Sequence, residues 1–197
     1  MFSPITTLYT YFPLQFYIRI TIDLLIMVFG VFLAARMYRK RKFDKVQQAA
    51  CIVLFMWGAI VLLFTVLGRR SHNDYELNYN LELFSCYRQI FVEYDKSMLK
   101  TALQNILMFV PIGFTLFIVF NNKHRVLISI AVSFGLSLFI EICQLFLKSG
   151  IFELDDLLNN TIGGLIGIIL CLTVSLIYHK VRKNHRKEDS VVSEGNR

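Results

Sequence analysis

The chain has 197 residues, of which 55% are hydrophobic and 18% charged, with a formal charge of +7 at pH 7 and a mean hydropathy of +0.54. Soluble globular domains are rarely so apolar, and a single soluble core has no need of repeated uncharged runs of about 20 residues, the length that crosses a bilayer at about 1.5 Å per residue. The basic excess lies in short segments beside those runs, where it sets topology and meets anionic headgroups, so nucleic-acid binding is not implied.

Residues 1–15 form an N-terminal segment. No basic region precedes the first apolar stretch and no small-residue cleavage pattern follows it, so that stretch is expected to be retained rather than removed as a signal peptide. A first span is expected over residues 16–35, with Arg19 and Asp23 on one helical face at a polar outer end. After the basic segment Arg36 to Lys45 comes an uncharged second span, residues 49–67. In the long connection that follows, Phe84, Tyr87, Phe91, Tyr94 and Met98 are three or four residues apart. This spacing predicts an amphipathic helical segment on the outer face of the membrane, packed on the bundle or dipping into lipid. A third span is expected over 101–120 and a fourth over 126–147, separated by a turn with Lys123 and Arg125. The fifth, 162–178, follows Asn159-Asn160-Thr161, a sequence that can cap a helix. Residues 179–197 are basic and then mixed in charge, and are expected to form a disordered cytoplasmic tail.

The loops give an orientation. Short cytoplasmic loops are enriched in Lys and Arg, which assigns the segments after Arg36, around Lys123 and after Lys180 to the inside. The other two connections carry Asp74, Glu76, Glu82, Glu93, Asp95, Glu153, Asp155 and Asp156 and belong outside. The expectation is an all-α integral membrane protein, a multi-pass bundle of about five transmembrane helices spanning residues 16–178, with its N-terminus outside and its C-terminus in the cytoplasm.

Glu141 interrupts the fourth span, and Gln144 follows about one turn later. An ionisable group within a membrane helix costs roughly 2.5 to 3.5 kcal/mol on insertion scales, so it persists where it faces protein or water. The expected topology places Asn105, Glu141, Gln144, Asp155, Asp156, Asn159 and Asn160 near the outer leaflet, whereas the inner halves of the same spans read as almost purely apolar. These residues are the candidates for a shared polar, ligand-binding pocket. Simpler roles stand beside that one. Asn105 and Gln144 can satisfy each other, Glu141, or backbone groups freed by Pro111, while Asp155, Asp156, Asn159 and Asn160 can cap or orient the fifth helix. Glu141 is neutral if desolvated, or ionised if Arg19, Arg69 or Arg70 reaches it. Cys51, Cys143 and Cys171 fall within spans and Cys86 in the outer loop, with no metal-ligand spacing, so packing is the expected role and a Cys86 to Cys143 bridge the alternative. No metal or cofactor is implied, and no nucleophile elbow, P-loop or zinc-type His-Glu-x-x-His sequence is present.

Three segments in order carry a resemblance. Asn105-Ile-Leu-Met-Phe109-Val-Pro111-Ile-Gly113 is an Asn-x-x-x-Phe-x-Pro-x-Gly pattern, and Glu141-Ile-Cys-Gln144 is Glu-x-x-Gln. Phe152-Glu-Leu-Asp155-Asp156-Leu-Leu-Asn159-Asn160-Thr-Ile-Gly163-Gly164 joins a phenylalanine and paired acids to an Asn-Thr-x-Gly turn. Together they resemble the VanZ-like membrane proteins over roughly residues 69–170. The chain departs from the family pattern at Leu83, where proline is usual, and at Gly150 and Ile151, where many members have an arginine. Phe109, Pro111, Gly113, Phe152, Gly163, Gly164 and Gly167 read as packing residues, since Pro111 can kink a helix and Gly163 and Gly167 form a Gly-x-x-x-Gly pair.

The resemblance implies an envelope protein associated with reduced susceptibility to glycopeptide antibiotics, teicoplanin in particular. Its partners would be membrane lipids and a glycopeptide or a lipid-linked cell-wall precursor. Two alternatives remain open. One is an enzyme acting on a lipid-linked precursor, with Glu141 as general acid or base and Asp155 or Asp156 as its partner or as a divalent-metal ligand. The other is a small transporter or flippase, which the apolar inner halves disfavour.

Overall fold

The computed structural model describes residues 14–40, 43–67, 79–147 and 150–195. In chain order these form α1 (Leu14–Arg39), α2 (Lys45–Leu62) extended by a wider π-type turn (Leu63–Leu67), β1 (Tyr79–Asn80), α3 (Ser85–Phe91), α4 (Lys96–Val119), α5 (Arg125–Phe146), β2 (Phe152–Glu153) and α6 (Leu154–Gly195). Four helical stretches, Lys45–Val66, Lys96–Val119, Arg125–Phe146 and Leu154–Asn184, are long and apolar enough to cross a membrane. The chain is an all-α membrane protein. The expected first span falls in α1, a helix of 26 residues packed along α2.

Local signals start two of the helices. Asp44 accepts a hydrogen bond from the Gln47 backbone N–H at 2.7 Å, and Gln47 Oε1 accepts from the Asp44 N–H at 3.1 Å, which is a capping box. The same Gln47 side chain donates to the Val119 carbonyl at 3.1 Å and so ties the start of α2 to the end of α4. Asp95 begins α4 by accepting from the Ser97 and Met98 N–H groups. Pro111 sits inside α4. Around it, Thr115 Oγ1 donates to the Pro111 carbonyl at 2.7 Å and Trp57 Nε1 to the Met108 carbonyl at 2.8 Å, the latter tying α2 to α4.

The most extensive helix contact is between α4 and α6. It is made by glycine. A Cβ at Gly163 would strike the Ile106 carbonyl oxygen, one at Gly167 the Val110 carbonyl oxygen, and one at Gly113 the Gly164 carbonyl oxygen. Ile106 therefore faces Gly163 and Val110 faces Gly167, so α4 and α6 run in the same direction. Helix α5 runs the opposite way, because Ser137 meets Asn160 while the earlier Ser133 adjoins the later Gly164. Phe109, Ile112, Leu116 and Ile140 fill one core cluster with Val61 and Val66, and Phe117, Ile168 and Cys171 form a second. The Arg125 guanidinium lies 4.1 Å from the Phe117 ring centroid.

Three expectations change. The last helix begins at Leu154 rather than at 162, so Asn159 and Asn160 lie inside it instead of capping it. It also continues to Gly195, where a disordered tail was expected; no proline or glycine interrupts the sequence between Gly167 and Gly195. The Phe84 to Met98 stripe is not one helix. Helix α3 ends at Phe91, Tyr94 takes a left-handed backbone conformation with φ of 56°, and Met98 belongs to α4.

Candidate functional site

The two short strands pair in parallel, Tyr79 with Phe152 and Asn80 with Glu153. This places the chain entering α3 beside the chain entering α6. Asp155, in the first turn of α6 and 1% exposed, occupies the junction. Its Oδ1 accepts from the Phe84 N–H at 2.7 Å, and its Oδ2 accepts from the Cys86 N–H at 2.7 Å and from Ser85 Oγ at 3.2 Å. Phe84, the residue preceding α3, supplies no side-chain cap of its own and has φ of 68°. Asp155 therefore caps α3 from a distance of 71 residues in sequence, and it also sits favourably at the positive end of its own helix. Tyr87 Oη donates to Asn159 Oδ1 at 2.6 Å, and Asn80 Nδ2 to Ser85 Oγ at 2.9 Å. Burial first, and then the Asp155 carboxylate, push the Cys86 thiol up to about 11, and burial likewise raises the Tyr87 hydroxyl above its ordinary value.

Glu141, near the end of α5, is also 1% exposed, and its Oε2 accepts from the Glu153 backbone N–H at 3.1 Å. One turn on, buried Gln144 donates to the Thr65 carbonyl at 3.1 Å in the π-type turn that ends α2. Asn160 Nδ2 donates to Ser137 Oγ at 2.9 Å. Glu141, Gln144, Asp155, Asn159 and Asn160 are thus all buried at the end of the bundle where α5 finishes and α6 begins. Asp156 is half-buried beside them. Asn105 adjoins Ile106, whose carbonyl faces Gly163, and so lies at the same end of α4. Arg69 and Arg70 fall outside the described residues, as does the Arg19 side chain.

Several buried polar atoms here have no hydrogen-bond partner: Asn105 Nδ2, Asn159 Nδ2, Asn160 Oδ1, and Ser129 and Ser133 Oγ. The serines qualify the expectation of almost purely apolar inner halves. Ser129, Ser133 and Ser137 are fully buried at four-residue intervals, and the same interval leads on to Glu141. That spacing was visible in the sequence, but serine is polar enough to matter when buried and too weakly polar to break an apolar run. Two cavities lie elsewhere and are lined almost wholly by apolar groups. One, of about 490 Å³, runs between α2 and α4 beside Val53 and Phe114; the other, of about 220 Å³, lies among α1, α2, α4 and α5 beside Ile26 and Leu136. All four cysteines are free, which removes the Cys86 to Cys143 bridge. Among the described residues, no group of three or more His, Cys, Asp or Glu side chains could hold a metal ion.

A protein-family model described as VanZ/LLP1 matches residues 50–177. The chain belongs to this family. None of the curated proteins and none of the solved structures matches it. The VanZ/LLP1 match begins within α2 and ends within α6, so it contains the whole polar cluster and the glycine contacts and leaves out α1. Within this VanZ/LLP1 region Phe109 is completely buried, Gly113 and Gly164 bring two backbones together, and Phe152 pairs in β2. These motif residues build the frame, and the polar side chains line its end.

Proposed function

We propose that this VanZ/LLP1-family membrane protein works in the bacterial envelope by binding rather than by catalysis. In this reading it has its N-terminus outside and its C-terminus in the cytoplasm, and its polar end lies in the outer leaflet. There it engages the polar head of a lipid-bearing ligand and lowers susceptibility to glycopeptide antibiotics, teicoplanin above all. The observation that carries the reading is the set of unpartnered amide atoms, Asn105 Nδ2, Asn159 Nδ2 and Asn160 Oδ1, at the end of the bundle that also holds buried Glu141. A buried donor or acceptor left unmade costs about 1 to 3 kcal/mol, and a ligand supplying the missing partners would recover that cost.

Asp155 supports binding over catalysis. Its two oxygens already accept three hydrogen bonds from the start of α3, so it is a structural cap rather than a poised base or an open metal ligand.

The test is the teicoplanin and vancomycin susceptibility of a susceptible Gram-positive host expressing the wild-type protein or Glu141→Ala, with membrane levels followed by immunoblot. The expected result is teicoplanin-selective protection by the wild type that Glu141→Ala loses at unchanged protein level. No shift with the wild type would reject the antibiotic reading and bring forward an enzyme acting on a lipid-linked envelope precursor.

A further inference from the structure

The geometry points to a second membrane contact outside the spanning helices: the segment around α3 is an interfacial anchor whose Phe84, Phe91 and Tyr94 enter the bilayer between its headgroups and upper acyl chains. This inference does not depend on the antibiotic reading.

Phe84 is 55% exposed, Phe91 71% and Tyr94 81%, with Leu83 and Val92 also open beside them. Fully burying a large apolar side chain is worth about 1.5 to 3 kcal/mol, so several of them held open together mark a contact surface. Phe84 and Tyr94, which flank α3, are the two non-glycine residues with positive φ among the described residues. For a residue with a Cβ that conformation costs about 1 to 2 kcal/mol. It is held at Phe84 by the buried Asp155 carboxylate and beside Tyr94 by the Asp95 N–H, which donates to the Gln89 carbonyl at 3.0 Å. The fold fixes these rings outside its own core instead of tucking them in.

The bilayer is the occupant that the neighbouring residues select. Leu99, Leu103 and Leu107 are all exposed and lie four residues apart on one face of α4, a stripe that a membrane-spanning helix presents to lipid. Helix α4 starts two residues after Tyr94, so the aromatic segment and the leucine stripe adjoin along the chain at the same end of a helix long and apolar enough to span the membrane. Lys96 and Lys100 are exposed at the same turn, where their stems can lie along apolar surface with the ammonium groups at headgroup level. Open aromatic rings interleaved with charged side chains, Glu93 and the Glu82–Arg88 pair beside them and Lys96 and Lys100 after them, match the mixed chemistry of the membrane–water interface.

The test places tryptophan on the ledge. Phe91→Trp and Tyr94→Trp are each reconstituted in nanodiscs of phosphatidylcholine and phosphatidylglycerol, with Trp57, the one native tryptophan, as a constant baseline. The anchor predicts added emission that is blue-shifted, quenched by lipid brominated near the top of its acyl chain, and protected from aqueous iodide. Red-shifted emission quenched by iodide would put the ledge in water and overturn the proposal. Emission shielded from both quenchers would overturn it as well, because the ledge would then be covered by a second copy or another protein.

Discussion

The two ends of the α5–α6 pair use polar residues in opposite ways. At the end holding Glu141, polar side chains reach backbone groups of distant segments: Asp155 holds the start of α3, Glu141 holds the Glu153 N–H, and Gln144 holds the Thr65 carbonyl. Farther along the same interface Ser133 rests against Gly164, and neither Ser129 nor Ser133 has a hydrogen-bond partner. In the first region hydrogen-bonding capacity is what the fold uses; in the second it is small volume. The distinction has a physical origin. Lipid tails are as apolar as leucine, so helices associate in a bilayer through close packing and selected polar contacts, not through the exclusion of water.

Substitutions ordered by size would sharpen or break that contrast. Gly113→Val should have the largest effect, because its Cβ would collide with the Gly164 backbone, which cannot rotate away. We expect destabilisation of about 3 kcal/mol, read as loss of monodisperse protein in detergent at temperatures the wild type survives. Wild-type behaviour would mean that α4 and α6 do not meet as described. Asp155→Ala should cost about 2 to 3 kcal/mol by stranding the Phe84 and Cys86 N–H groups, and should raise amide exchange across α3 ahead of the rest of the molecule. Uniform exchange in the mutant would contradict the cap.

The Cys86 thiol offers a chemical probe of the same junction. With its pKa moved from 9.0 to about 11, its thiolate fraction near neutral pH falls about 100-fold, so maleimide labelling should be slow in the folded protein and accelerate in Asp155→Asn. The contribution of this thiol to stability is complete below pH 9 and is lost as pH rises from 9 towards about 11. Rapid labelling of the native thiol would argue against burial beside a carboxylate. Ser129→Ala and Ser133→Ala should have the smallest effect, within about 0.5 kcal/mol or slightly stabilising, because each removes a buried hydroxyl that has no partner. A loss of several times that size in an unfolding assay would show that the hydroxyls are engaged.

Much of the frame could be read from the sequence because run length is a local property. The four uncharged or nearly uncharged stretches fall in helices long and apolar enough to cross a membrane, and the last of these helices starts earlier and runs on further than expected. Glu141 and Gln144 stood out for the same reason, as polar groups among apolar neighbours, and Asp155 as one of a pair of acids in the outer connection. Their partners did not stand out. Nothing local in Phe84-Ser85-Cys86 announces that a carboxylate 71 residues later will cap it, because hydropathy carries no register between segments. Asn159 and Asn160 resembled caps since their type favours helix starts; in the fold they face Tyr87 and Ser137, so tertiary contact overrides that preference. The Ser129, Ser133, Ser137 series was hidden by its mild hydropathy, and the helical continuation to Gly195 by charge, which argues for disorder more strongly than it opposes helix.

We propose that the polar end carries function while the serine and glycine seam carries packing. The most direct measurement is teicoplanin susceptibility of one host expressing alanine variants of Glu141, Gln144, Asn159 and Asn160 beside alanine variants of Ser129 and Ser133, each normalised to the amount of protein in the membrane. Protection is expected to be lost across the first group and kept in the second. Equal protection in both groups, or losses that merely follow protein level, would contradict it.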